Sequence, residues 1–150
     1  MAYYMNEGMF DLPEGWKDES IHVFKSSDGD DINLVVNRDQ VPQGMNREEF
    51  IEQQLKQIRD NLGDYRENIL RYIPVAGLES PLLDYNWSSP KGRMHQINLM
   101  WVQPPVMVSF TFTSTAPIPD GRKEALTALL QTFRSYIRDD AASDAQQPKD

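Results

Sequence analysis

The chain has 150 residues, with 23 acidic and 15 basic side chains, a formal charge of −8 and a pI near 4.7. Cysteine is absent, which excludes a disulfide framework, a thiolate zinc site and a cysteine nucleophile. The acidic balance repels phosphate backbones, so no nucleic-acid partner is expected, while 39% hydrophobic and 10% aromatic residues suffice for a packed core.

In chain order, Tyr3 to Asp11 reads as one or two short strands, broken by the turn formers of Leu12-Pro13-Glu14-Gly15-Trp16. Ser20 to Ser26 reads as a strand. Asp28-Gly29 suits a hairpin connection, and Asp31 to Arg38 alternates, with Ile32, Leu34 and Val36 on one face and Asn33, Val35 and Asn37 on the other. Pro42-Gln43-Gly44 ends that strand. Asn46 with Glu49 resembles a capping box, and Ile51, Leu55, Ile58 and Leu62 form a helical stripe, so a helix is predicted over Arg47 to Leu62, with Gly63 as a left-handed C-cap.

Strands return at Tyr65 to Ile73 and Pro81 to Trp87, separated by Pro74-Val75-Ala76-Gly77. Arg93 to Val102 and Val106 to Thr115 read as a long hairpin around Pro104-Pro105, rich in Thr, Val, Phe and Met. Asp120 is placed as the cap of a second helix reaching Ile137, with Leu126, Leu129, Leu130, Phe133 and Ile137 buried. The tail Asp139 to Asp150 has no apolar residue larger than alanine and is expected to be disordered, leaving one domain over residues 1–138. The class is α+β: an antiparallel sheet with both helices packed on one face.

The longest nearly charge-free stretch, Gln96 to Pro119, is broken by prolines and polar residues and does not read as a membrane span. The N-terminus lacks the basic and apolar regions of a signal peptide, so a soluble cytoplasmic protein is expected.

Parity assigns the sheet faces. The core face carries Ile97, Leu99, Trp101, Val108, Phe110, Phe112, Ile32, Leu34 and Val36, with Phe24. The other carries Met94, Gln96, Asn98, Met100 and Val102; Met107, Ser109, Thr111, Thr113 and Thr115; Ile21, Val23, Asn33, Val35 and Asn37. None of these is charged, although a quarter of the chain is, and composition alone would put roughly four charges on such a face. Aliphatic groups and Met give an adaptable apolar surface, and the amides and hydroxyls offer hydrogen bonds without the desolvation penalty of a charge. Such a face suits a hydrophobic helix. A homodimer seam or a Thr-rich solvent face would share its composition.

Chemistry finds little support. His22 and His95 lack an accompanying nucleophile and read as sheet histidines. Asp28, Asp30 and Asp31 lack the later ligands of a calcium loop. The glycines stand alone, so no phosphate-binding loop is present and no cofactor or metal is expected. Trp16, Trp87 and Trp101 lack the basic groove of a single-strand platform and read as core. Gln53, Gln54 and Gln57 suit a solvated helix face, or, for Gln54, an amide reaching a ligand on the uncharged face.

The segments Trp16…Ser20-Ile21-His22-Val23-Phe24-Lys25, Asn37-Arg38-Asp39 and Leu83-Asp84-Tyr85-Asn86-Trp87, in this order along residues 1–138, resemble the Eag chaperones of bacterial type VI secretion. The resemblance implies a Mog1/PsbP-like fold, a homodimer and no enzymatic activity. It also implies a cytoplasmic role, the shielding of the N-terminal hydrophobic helices of a secreted PAAR- or Rhs-type effector before export, without stable membrane association. The matching groove positions are Ile21, Val23, Val35, Gln54 and Asn98; all but Gln54 lie on the uncharged face by parity. Asn33, Met100, Met107, Ser109 and Thr111 complete the expected client-binding set. Two other classes remain open: a carrier enclosing a small hydrophobic ligand, and a Mog1-type regulatory module that binds a small GTPase through a charged edge.

Overall fold

The computed structural model describes residues 1–27 and 29–136. The expected acidic tail, and Ile137 of the expected second helix, lie outside the described residues.

The first strands, β1 (Ala2–Met5) and β2 (Gly8–Asp11), form a separate hairpin. The remaining strands are β3 (His22–Lys25), β4 (Ile32–Gln40), β5 (Arg66–Val75), β6 (Leu78–Ser89), β7 (Gly92–Gln103) and β8 (Val106–Ser114). They build one antiparallel sheet in the order β3-β4-β8-β7-β6-β5. Two helices complete the α+β fold, α1 (Arg47–Asn61) and α2 (Asp120–Leu130).

Local chemistry accounts for the connections. Ala76 and Gly77 both take positive φ, 47° and 82°, which closes the β5–β6 hairpin with a two-residue turn. The Asn46 side chain accepts the Glu49 amide proton at 2.8 Å, capping α1 as its sequence predicts. Gly63 is not the left-handed residue; Asp64 is, at φ 45°. Gly63 is required instead by a close approach. A Cβ there would lie 3.0 Å from the Ser88 carbonyl oxygen, and Ser88 N–H donates to the Gly63 carbonyl at 2.8 Å.

The helices do not share a face. Ile97, Leu99, Trp101, Phe110 and Phe112 pack with Leu126 and Leu130 of α2. Met100, Val102, Met107, Leu83 and Tyr85 pack with Phe50, Ile51 and Leu55 of α1. The chain therefore places α1 on the opposite side of the sheet from α2. The reason is in the central strands: β6 and β7 are apolar on both faces, at Leu82-Leu83 and Leu99-Met100-Trp101-Val102, and two apolar faces need two covers.

Other expectations are corrected in the same way. Helix α2 ends at Leu130, no side chain caps it, and Leu129 is exposed. Phe133 follows the helix and packs edge-on against Trp101 and Phe110. Phe24 on the edge strand is exposed, at the rim of a cavity it shares with Arg122, Leu126 and Leu129 of α2, and Trp16 is 64% exposed rather than core. Trp101 is core as predicted and donates its indole N–H to the Val75 carbonyl at 3.1 Å.

Candidate functional site

Because α1 lies over the uncharged face, it divides that face into a covered half and an open half. Arg47 ties the start of the helix to the sheet, donating Nε–H to the Val102 carbonyl at 2.8 Å and bonding the Glu79 carbonyl through Nη2. Near its end, Arg59 pairs with Glu67 of β5 at 2.8 Å, and Tyr65 Oη donates to the same carboxylate. The bonds to Arg59, then Tyr65, hold the Glu67 carboxyl below its usual range against the opposing effect of burial. This flank of α1 thus faces β5. The opposite edge of the helical stripe carries Phe50, buried in the same cluster as Val41 and Met107, then Gln54, half-buried, and Gln57, exposed.

Register shows where the cover stops. One row across the sheet runs Val23, Val35, Thr111, Asn98, Leu83. Val23 is 53% exposed, Val35 and Thr111 are half-buried, Asn98 is 4% exposed and Leu83 is fully buried under α1. The next row runs Lys25, Asn33, Thr113, Gln96, Tyr85. The open part is a groove beside α1, floored by β3, β4, β8 and Gln96 of β7, and it ends where α1 covers Leu83, Met100 and Met107.

The residues expected to bind a client divide accordingly. Ile21 and Val23 are exposed at the outer lip, and Asn33, Val35 and Thr111 lie on the floor. Gln54 is half-buried on the helical wall. Asn98 and Ser109 sit at the boundary, where Asn98 Nδ2 donates to Ser109 Oγ at 3.0 Å and Thr111 Oγ1 at 2.9 Å. Met100 and Met107 are a correction. Both are buried beneath α1, so they support the floor rather than line it.

Sequence reasoning missed two things on this face. Lys25 shares the parity of Val23, and Asp39 that of Asn37, so charges do occur, but at the rim. At the Ile21 end, a cavity of about 390 Å³ sets Ile21, Asn37 and Val106 among Lys17, Asp18, Glu19, Arg38 and Asp39. Thr113 and Gln96 also belong to the floor. Their signal was available in the parity pattern, and the two side chains are hydrogen-bonded to each other.

The floor has unused hydrogen-bonding capacity. The Oδ1 atoms of Asn33 and Asn98 are buried without a partner among the described residues, and a buried unsatisfied acceptor costs about 1–3 kcal/mol. Elsewhere, the histidines serve the sheet: His22 meets Arg38 at 3.4 Å and stacks on Phe24. Burial, then the charges of Arg93 and Lys123, lower the pKa of His95 against the pull of Asp84. The described residues hold no cluster of potential metal ligands.

The comparisons with known proteins bear on this groove. The DcrB family model matches residues 7–132. The chain belongs to the DcrB family. A Pseudomonas aeruginosa relative named Effector EagT6 is 25% identical over 122 residues, covering 78% of this chain and 84% of the relative. That match agrees with the Eag resemblance read from the segments around Ile21, Asn37 and Leu83. The crystal structure of PA94, a Pseudomonas aeruginosa protein of unknown function, superposes with a TM-score of 0.72 at 21% identity, over 90% of this chain and 96% of that one. It shares the fold. The solution structure of PsbP from Synechocystis sp. PCC 6803 gives a TM-score of 0.45 at 11% identity, over 88% of this chain and 87% of that one. No helix among the described residues of this DcrB-family chain is long and apolar enough to cross a membrane.

Proposed function

We propose that this protein is a cytoplasmic chaperone that binds the N-terminal hydrophobic helices of a type VI secretion effector and shields them before export. The observation that carries the reading is the open floor beside α1, where the rows through Val35 and Asn33 offer only apolar and neutral hydrogen-bonding groups between charged rims. The likeness to the protein named Effector EagT6 supports the secretion context.

Shielding means removing apolar area from water. A membrane helix in water pays about 25 cal/mol for each Å² of exposed apolar surface, which drives aggregation or premature insertion. In this reading Ile21, Val23 and Val35 take up that area. Asn33, Asn98, Ser109, Thr111 and Gln54 bond the polar atoms of the helix, and small residues in the helix allow close approach. The charge of −8 keeps a complex with an apolar client soluble. The protein acts as a homodimer and carries out no reaction of its own. Met1, Tyr4, Met5, Met9, Phe10 and Trp16 supply exposed apolar surface for a second copy.

The test is affinity capture of the tagged protein from its native cells, with mass spectrometry of what accompanies it. One large protein should be recovered, and deletion of that protein's N-terminal hydrophobic segment should abolish recovery. A protein that emerges alone, or with only a small ligand, would sink the chaperone reading.

A further inference from the structure

The direction of a hydrogen bond through an amide is often ambiguous, but an indole N–H can only donate. Trp87 donates Nε1–H to Gln96 Oε1 at 2.9 Å. That contact sets the amide, with its oxygen toward Trp87 and its nitrogen toward β8. Gln96 Nε2 then donates to Thr113 Oγ1, also at 2.9 Å. A hydroxyl that accepts one bond keeps its own proton for another. Thr113 is half-buried on the groove floor, and its proton has no acceptor among the described residues.

We propose that this chain across three strands, from Trp87 through Gln96 to Thr113, aims the Thr113 hydroxyl proton into the groove, where it donates to a main-chain carbonyl oxygen of the client helix. The proposal rests on the groove reading and sharpens it, because at this point the floor donates and the helix accepts. A helical carbonyl spends one lone pair on its own i→i+4 partner and has a second free. The occupant is therefore a helix with Gly or Ala opposite Thr113, where its backbone comes close enough. Trp87 is a positioning residue. It packs with the apolar groups under α1 and acts only through Gln96. Thr111 and Ser109 carry no such assignment, since no indole orients the Asn98 amide they bond.

The probe is a fluorescent, lysine-flanked helix of about 20 Leu, Ala and Gly residues, the length of a membrane span, with no hydroxyl or amide side chain. Its binding to the full chain is read by anisotropy. Thr113→Val is isosteric and should weaken binding about three- to tenfold, the worth of one hydrogen bond, while Thr113→Ser should stay within about twofold. In a Trp87→Phe background, with folding checked by near-UV circular dichroism, Thr113→Val should cost much less, because the Gln96 amide is free to turn. Gln96→Met, which removes the amide and adds no charge to the floor, should shrink the Thr113→Val effect in the same way. Wild-type affinity for Thr113→Val overturns the proposal and leaves the groove reading standing. An undiminished Thr113→Val effect in both backgrounds overturns the roles of Trp87 and Gln96. A probe that binds no form of the protein overturns the groove reading, and this proposal with it.

Discussion

Val35 stands at the middle of the open floor, between Val23 on β3 and Thr111 on β8, and replacing it with aspartate places a charge where the client should lie. In the free protein Val35 is half-buried, so the new carboxylate keeps water and the fold should lose no more than about 1 kcal/mol. Beneath an apolar helix that water is removed. The floor neighbours in the same two rows, Val23, Thr111, Asn98, Asn33 and Thr113, are uncharged, and the cation of those rows, Lys25, stands exposed at the rim on the diagonal from Val35, so the loss is read in a Lys25→Met background. An unpaired buried charge costs several kcal/mol, and the side chain can escape only by taking up a proton. From an ordinary aspartate pKa of about 3.9, protonation at pH 7 costs 1.36 kcal/mol for each of about 3.1 units, or about 4 kcal/mol. The loss of affinity is thus capped near 10³-fold, by about the same conversion of 1.36 kcal/mol per decade. It should also recover about tenfold for each unit the pH falls between 7 and 4. The assay is anisotropy of the lysine-flanked helix against Val35→Asp, with Val35→Asn as the neutral control. Affinity of Val35→Asp within about threefold of its Lys25→Met parent at pH 7 would refute the reasoning, as would a large loss that ignores pH.

Two further predictions concern the wall of the groove. Leu83→Ala removes a fully buried side chain from the core under α1 and should lower unfolding stability by about 3–5 kcal/mol in urea titration; a loss below about 1 kcal/mol would mean that α1 is not seated there. Burial raises the pKa of Tyr85 and of Tyr65, so on unfolding both become easier to ionise. A group with a raised folded pKa stabilises the native state fully below its unfolded pKa and loses that contribution above it. Stability should therefore fall as pH rises past about 10, and Tyr85→Phe should flatten the fall seen in thermal melts; an unchanged slope would count against it.

The strand faces were legible because alternation needs only neighbouring residues. Ile32, Leu34 and Val36 on β4, and Ile97, Leu99 and Trp101 on β7, lie on the α2 side as their parity requires. The start of α1 was legible for a similar reason, since a cap is a bond across three residues, from Glu49 N–H to Asn46. The seat of α1 was a matter of reading: the doubly apolar run Leu99-Met100-Trp101-Val102 already signalled cover on both faces. Parity placed Met100 and Met107 correctly but could not say that α1 lies over them. The role of Gly63 was out of reach, because it depends on Ser88, 25 positions away.

By itself, the sequence determined most of the elements, the faces of the strands and the absence of charge from the middle of one of them. Each follows from spacing along the chain and from the cost of burying a charge. Only the tertiary structure decided that α1 crosses to the uncharged face, where it buries Met100 and Met107 and leaves the rows through Val35 and Asn33 open as a groove. It also decided that the Trp87 indole orients Gln96 toward Thr113. These depend on which strands become neighbours and on which apolar surfaces find each other in space, and no local period in the chain records that.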